Sequence, residues 1–164
     1  MINPAIPRDE NERAAALRNL NILDTPREES YDEITRLACD EFGVAMSMIT
    51  LIDTDRQWFK SSVGLGARET VRAMSFCAHT ILQQGCFVVR DTLADERFSN
   101  HPSVTGDTNF RFYAGCPVHD VTGYRIGALC IVHTESRNFD CTDVAKLAAL
   151  TRVVENRIAL EYSN

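Results

Sequence analysis

Two pairs of apolar runs, each joined by a short polar turn, constrain this chain more than any other feature. In "VAMSMITLIDTDRQWFKSSVG" the run 45–52 is apolar on both faces, Asp53–Arg56 supplies turn residues, and 57–63 returns with Trp58 and Phe59. In "RFYAGCPVHD" and "RIGALCIVHT", placed around "VTGY", the alternating sets are Phe112, Ala114, Cys116, Val118 and Ile126, Ala128, Cys130, Val132. Hairpins join antiparallel neighbours, so the sheet is expected to be antiparallel. A further short strand is expected over "CFVVRD", 86–91.

Helical signals gather at the chain ends. "DENERAAALRNL" (9–20) opens with acids and is rich in alanine; the next helix, about 27–42, repeats Tyr31, Ile34, Leu37, Ala38 and Phe42 at three- and four-residue spacing. Gly43 ends it. A closing helix, about 140–162, carries Val144, Leu147, Leu150, Val154 and Ile158 on one stripe, with Ala149, Val153 and Leu160 beside it. That stripe is wider than one sheet contact requires, which leaves surface for a second helix. The expected fold is α+β, with terminal helices on one face of the sheet. The other face is left to a short helix at 75–83 and the polar stretch "TLADERFSNHPSVTGDTNF" (92–110), too long and too polar to be a plain connection. Between sheet and loop a chamber is expected. Residues 1–8 read as a flexible lead and 9–164 as a single domain.

At 164 residues with net charge −6, scattered Lys and Arg argue against a nucleic-acid partner. No apolar run approaches the length of a membrane span, and the first residues lack an export signal, so a cytoplasmic protein with no membrane insertion is expected. Its six cysteines are then expected as reduced thiols, with Cys39, Cys86, Cys116 and Cys130 filling core among apolar neighbours.

The stretch "MSFCAHTILQQGC" concentrates the reactive side chains. Ser75 suits an N-cap, which puts Cys77 in a first helical turn where unpaired amides favour a thiolate. His79 lies two residues on, about 200° around the helix, so the two cannot share a metal from a regular helix. No metal site is expected, and no base is placed for Cys77. His101, before Pro102, reads as solvent-facing. Arg111 and Tyr113 share one side of a strand, opposite Phe112 and Ala114; either they face a polar or anionic ligand, or Arg111 pairs with Asp91 or Asp95.

The segments "LRNLNILDTPREESYDEITRLACDEFGV", "SMITLIDTDRQWFKSSVGL", "SFCAHTIL", "VVRDTLADERFSNHPSVTG" and "FRFYAGCPV" resemble the GAF domain family over about 12–160. They are most similar to its bacterial subgroup N-terminal to sensor histidine kinases and GGDEF-type diguanylate cyclases. The resemblance implies a sheet of about six strands, a pocket that in some members holds a small molecule, and relay through the terminal helices, commonly across a dimer. By similarity the pocket wall is drawn from Trp58, Phe76, Cys77, His79, Asp91, Phe98, Arg111 and Tyr113. The Asn-Lys-Phe-Asp-Glu signature of cyclic-nucleotide-binding members is absent, and Cys77-Ala78-His79 departs from the Cys-His order of bilin attachment. The cysteine surroundings also differ from those of the free methionine sulfoxide reductase. The implied function is a non-enzymatic sensor of an unidentified small molecule, its cofactor unspecified. The implied partners are a second copy of the chain and a histidine kinase or diguanylate cyclase output domain. A thiol-based sensor or reductase acting through Cys77, resolved by Cys86, and a ligand-free dimerisation module stay open as alternatives.

Overall fold

The computed structural model describes residues 1–162. Helices α1 (Glu10–Asn19) and α2 (Glu29–Phe42) lead into β1 (Met46–Ile52) and β2 (Arg56–Val63). After β3 (Glu69–Val71) and a single 3-10 turn come α3 (Phe76–Thr80) and β4 (Phe87–Val89). A second 3-10 turn and α4 (Pro102–Thr105) follow, then β5 (Phe112–His119), β6 (Arg125–His133) and α5 (Cys141–Tyr162). The six strands form one sheet in the order β3-β2-β1-β6-β5-β4, every pairing antiparallel. The α+β class and both expected hairpins are therefore observed, and β3 and α4 are additions. Residues 1–8 form neither helix nor strand, and the Ile2 N–H donates to the Arg97 carbonyl at 3.1 Å.

Local chemistry sets the boundaries. Gly43 ends α2 in the left-handed region (φ 61°), where a Cβ would be strained. Ser75 caps α3 by accepting the Ala78 N–H at 3.0 Å. Strand alternation divides the core into two layers. Leu17, Ile34, Ala38, Ile49, Leu51, Phe112, Ala114, Leu129, Leu147 and Val154 join α1, α2 and α5 to one face. Met48, Phe59, Phe76, Cys77, Phe98, Tyr113, Ala128, Cys130 and Val132 form the other layer, under α3 and the segment 92–111. Ile126 packs with the helix layer, so it does not share a face with Ala128, Cys130 and Val132.

A register shift interrupts β2. Ile49 faces Ser61 while Thr50 faces Phe59, which leaves Lys60 as the extra residue of a bulge. The bulge turns both Lys60 and Ser61 toward α2. Ser61 Oγ donates to Asp32 Oδ1 at 2.5 Å and pairs with Thr35 Oγ1 at 2.8 Å. Lys60 is fully buried, and its Nζ donates to Thr25 Oγ1 (2.8 Å), the Pro26 carbonyl (3.0 Å) and Tyr162 Oη (3.1 Å) while pairing with Glu28. One ammonium thus ties β2 to the entry of α2 and the last turn of α5.

The cysteines depart from expectation. Cys86 and Cys116 form a disulfide, Cα–Cα 4.1 Å, whereas Cys39, Cys77, Cys130 and Cys141 are free. The reason is register. Phe87 faces Gly115, so the residues one step further out, Cys86 and Cys116, lie directly opposite across β4 and β5. Compartment alone favours reduced thiols, but strand register brings these two sulfurs together regardless.

Candidate functional site

The second core layer encloses a cavity of about 150 Å³ between β1, β2, β5, β6 and the lid segment 92–111. Met48, Phe59, Phe76, Phe110 and Val132 make most of its wall; Gln57, Thr70, Cys77, His101, Ser103, Thr108 and Tyr113 supply polar atoms. No Asp, Glu, Lys or Arg lines it.

Of the eight residues named from sequence, Phe76, Cys77 and Tyr113 line this cavity. Phe98 and His79 lie in the same layer but close it off rather than line it. Phe98 stacks on Phe76 at 4.1 Å with its plane 12° away, and the His79 ring sits edge-on to Phe98 at 5.0 Å. Phe87 joins the cluster at 6.1 Å from each. Aromatic rings therefore plug the part of the expected chamber around Phe98 and His79, while the part beside Gln57 and Phe59 stays open. Trp58 is on the opposite face of the sheet, within the helix layer and beneath the Arg68 guanidinium. Asp91 is exposed, and its carboxylate accepts the Leu93 N–H at 3.0 Å to cap the 3-10 turn. Arg111 pairs with neither Asp91 nor Asp95. Its Nη1 donates to the carbonyls of Val104 (2.7 Å) and Phe110 (3.0 Å), pinning α4 to the start of β5.

His101 is buried, not solvent-facing. Its Nδ1 accepts the Ser103 N–H at 3.0 Å, which leaves the proton on Nε2 to donate to the Met74 carbonyl at 2.8 Å. Burial draws its pKa below 6.5, as it does for His79. The imidazole is thus a neutral clasp between the lid and the 3-10 turn that precedes α3. Gln57 and Phe110 were missed as well; alternation points to Gln57 only once Trp58 is placed on the helix face, and nothing in the lid sequence singles out His101 or Phe110.

Under the cavity lies a chain of hydroxyl and thiol groups. Tyr113 Oη pairs with Thr80 Oγ1 at 2.7 Å and donates to Cys77 Sγ at 3.1 Å. Gly115 makes room for this, since a Cβ there would sit 2.3 Å from Tyr113 Oη. Burial opposes ionisation of Cys77, while hydrogen bonds from Cys130, Thr50 and Tyr113 outweigh it and draw its pKa down. Cys130 is pushed up by that same bond to Cys77 and by burial. His119 and His133 stand away from this cluster: His119 Nδ1 pairs with Glu155 Oε2 at 2.8 Å, and His133 Nδ1 accepts the Ala45 N–H at 3.1 Å. Among the described residues no group of three or more His, Cys, Asp and Glu is placed to hold a metal.

An antiparallel sheet with helices on one face and a lidded cavity on the other defines an α+β domain with an internal chamber. The GAF domain family model matches residues 26–158, and the chain belongs to that family. A cyclic di-GMP phosphodiesterase of Pseudomonas aeruginosa is 39% identical over 159 residues, which are 96% of this chain and 27% of that protein. The chain therefore spans about a quarter of this relative. Among solved structures, the GAF domain of an Acinetobacter phosphoenolpyruvate-protein phosphotransferase superposes with TM-score 0.66 at 18% identity, covering 92% of this chain and 94% of that one. The free methionine-R-sulfoxide reductase of Neisseria meningitidis, in complex with its substrate, superposes with TM-score 0.65 at 19% identity, covering 99% and 96%. At such identities the likeness is one of fold. Among the described residues no helix is long and apolar enough to cross a membrane.

Proposed function

We propose that this GAF domain is a non-enzymatic sensor that takes a small uncharged molecule into the cavity beneath the 92–111 lid. It relays occupancy, as a homodimer, through its terminal helices to a cytoplasmic output domain of the histidine kinase or cyclic di-GMP type. The observation that carries it is the cavity itself, about 150 Å³ and without a charged side chain. An apolar hollow of that size holds a benzene-sized guest, and drug-sized ligands need about 300 Å³ or more. A cyclic dinucleotide, large and twice anionic, does not suit it. Gln57 adds specificity: Ser75 Oγ donates to its Oε1 (2.7 Å) and its Nε2 donates to Thr70 (3.0 Å), leaving one N–H and one lone pair for a guest. Exposed Leu37, Val153 and Leu160 on α2 and α5 favour helix pairing.

Native mass spectrometry of freshly purified protein is the test. A copurifying or added neutral small molecule should bind the wild type and be lost in Val132→Phe, which fills the cavity. A variant that folds normally and retains the molecule would refute the site. A second reading, thiol chemistry at Cys77, is favoured by the donors converging on its sulfur; Cys86 cannot resolve it while bonded to Cys116. Rapid alkylation of Cys77 relative to Cys39 would favour that reading over the first.

A further inference from the structure

A groove of about 180 Å³ on the far side of β5 from the cavity exposes the disulfide. Its walls are Cys86, Cys116, Pro117 and His119 from the sheet edge, and Thr151, Arg152 and Glu155 from α5. Cys86 is partly exposed whereas Cys116 is buried, so an incoming thiol meets the Cys86 sulfur first. Arg152 places a cation along the same groove, beside the hydrogen-bonded His119–Glu155 pair. The bond also closes a loop around the whole lid. Residues 86–116 contain β4, α4 and five cavity-lining residues, His101, Ser103, Thr108, Phe110 and Tyr113. Edge strand β4 is short: it pairs with β5 at Phe87–Gly115, Val88–Ala114 and Val89–Tyr113, and Arg90 just beyond it is bonded to Arg137 and Phe139.

We infer that Cys86–Cys116 is a reversible thiol–disulfide switch, addressed through this groove by a low-molecular-weight thiol or disulfide, whose state sets how firmly β4 and the lid are held over the cavity. In the reducing direction the thiolate of the small thiol attacks Cys86 Sγ, the Cys86–Cys116 bond breaks, and Cys116 leaves as a thiolate that takes up a proton. A second small thiol then displaces Cys86 from the mixed disulfide. The products are two protein thiols and one small disulfide, a two-electron change that the small disulfide reverses. Reduction releases the constraint on the 86–116 loop, and the short β4 ladder frays. The coupling to ligand residence rests on the cavity reading above; the switch itself does not.

The test uses the 164-residue chain without ligand, equilibrated in mixtures of reduced and oxidised glutathione. Thiols are then alkylated and located by peptide mass spectrometry, and amide hydrogen exchange is followed in parallel. The native protein should show Cys86 and Cys116 titrating together as one couple while Cys77 and Cys130 stay free. On reduction, exchange across 87–111 should rise on the order of tenfold with β1 and β6 unchanged. The variant carrying both Cys86→Ser and Cys116→Ser should match the reduced wild type. A pair that never oxidises, one that reduces only in denaturant, or lid exchange indifferent to redox state would each overturn the inference. Because no ligand is present, these outcomes are independent of whether the cavity is ever filled.

Discussion

Replacing Lys60 by Met tests whether one buried ammonium holds the two ends of the domain together. Met preserves most of the side-chain stem and removes the charge. What is lost is the set of bonds from Nζ to Thr25, Pro26 and Tyr162, the ion pair with Glu28, and the approach to the Tyr31 and Tyr162 rings at 5.2 and 5.3 Å. Removing one partner of a buried ion pair costs about 3–5 kcal/mol, chiefly because the remaining charge is stranded. Glu28 is 36% exposed, so water recovers part of that penalty, and the expected cost falls to about 2–3 kcal/mol. For a chain of this length that corresponds to a Tm lower by about 5–10 °C. Urea unfolding should show a lower midpoint with an unchanged slope. Lys60 is the main reason the Glu28 carboxyl sits below its ordinary range, with Tyr162 second, so its pKa should rise in the variant. Amide exchange in the last turn of α5 should rise too. Stability within about 0.5 kcal/mol of wild type would refute the reasoning, because it would mean desolvation of the ammonium cancels everything it binds.

Acid should weaken the fold in two windows. The pKa values of His79 and His101 are depressed by burial, so the unfolded chain binds protons more readily; stability is fully present above about pH 6.5 and declines as pH falls toward the folded values. Melting temperatures across pH 5–8 check this, and His101→Gln should flatten part of the slope. For Glu10, burial opposes ionisation, but bonds from Arg72 (2.6 Å) and Arg13 (2.9 Å) prevail and hold the pKa at about 2. Its contribution is therefore present above pH 4.5 and lost between there and pH 2, where a second decline is expected. Gly115→Ala drives a methyl group against Tyr113 Oη and should cost about 1–3 kcal/mol in a denaturant melt while breaking the Thr80–Tyr113–Cys77 chain. An unchanged melt would show that the ring moves aside freely.

Periodicity made the hairpins, α2 and α5 legible, because each spans several repeats of its own period. β3 and α4, at three and four residues, are too short to carry one. Sidedness was harder. An aromatic such as Trp58 reads alike on either face of a strand, and the bulge at Lys60 breaks the parity that could have fixed it. Arg111 stands just before β5, where strand alternation does not yet govern its direction. His101-Pro102 has the composition of an exposed turn, and only the fold reveals that the imidazole fastens α4 to Met74. The disulfide needed the β4–β5 register, a long-range fact.

That same bulge bears on how an occupied cavity could act at a distance. Gln57 and Phe59 face the cavity; Trp58 and Lys60, alternating with them, face the helices. A guest that displaces Phe59 therefore acts one peptide away from the ammonium holding the end of α5. The groove of the disulfide meets the same helix at Arg152 and Glu155, from the opposite edge of the sheet. The proposed inputs are thus separable. Lys60→Met should uncouple ligand occupancy from the last turn of α5 and leave the thiol couple unchanged. The double serine variant should loosen the lid and leave the Lys60 bonds in place. If the two substitutions proved non-additive in stability, the sites would share a two-state element, and α5, which both meet, would be the place to look for it.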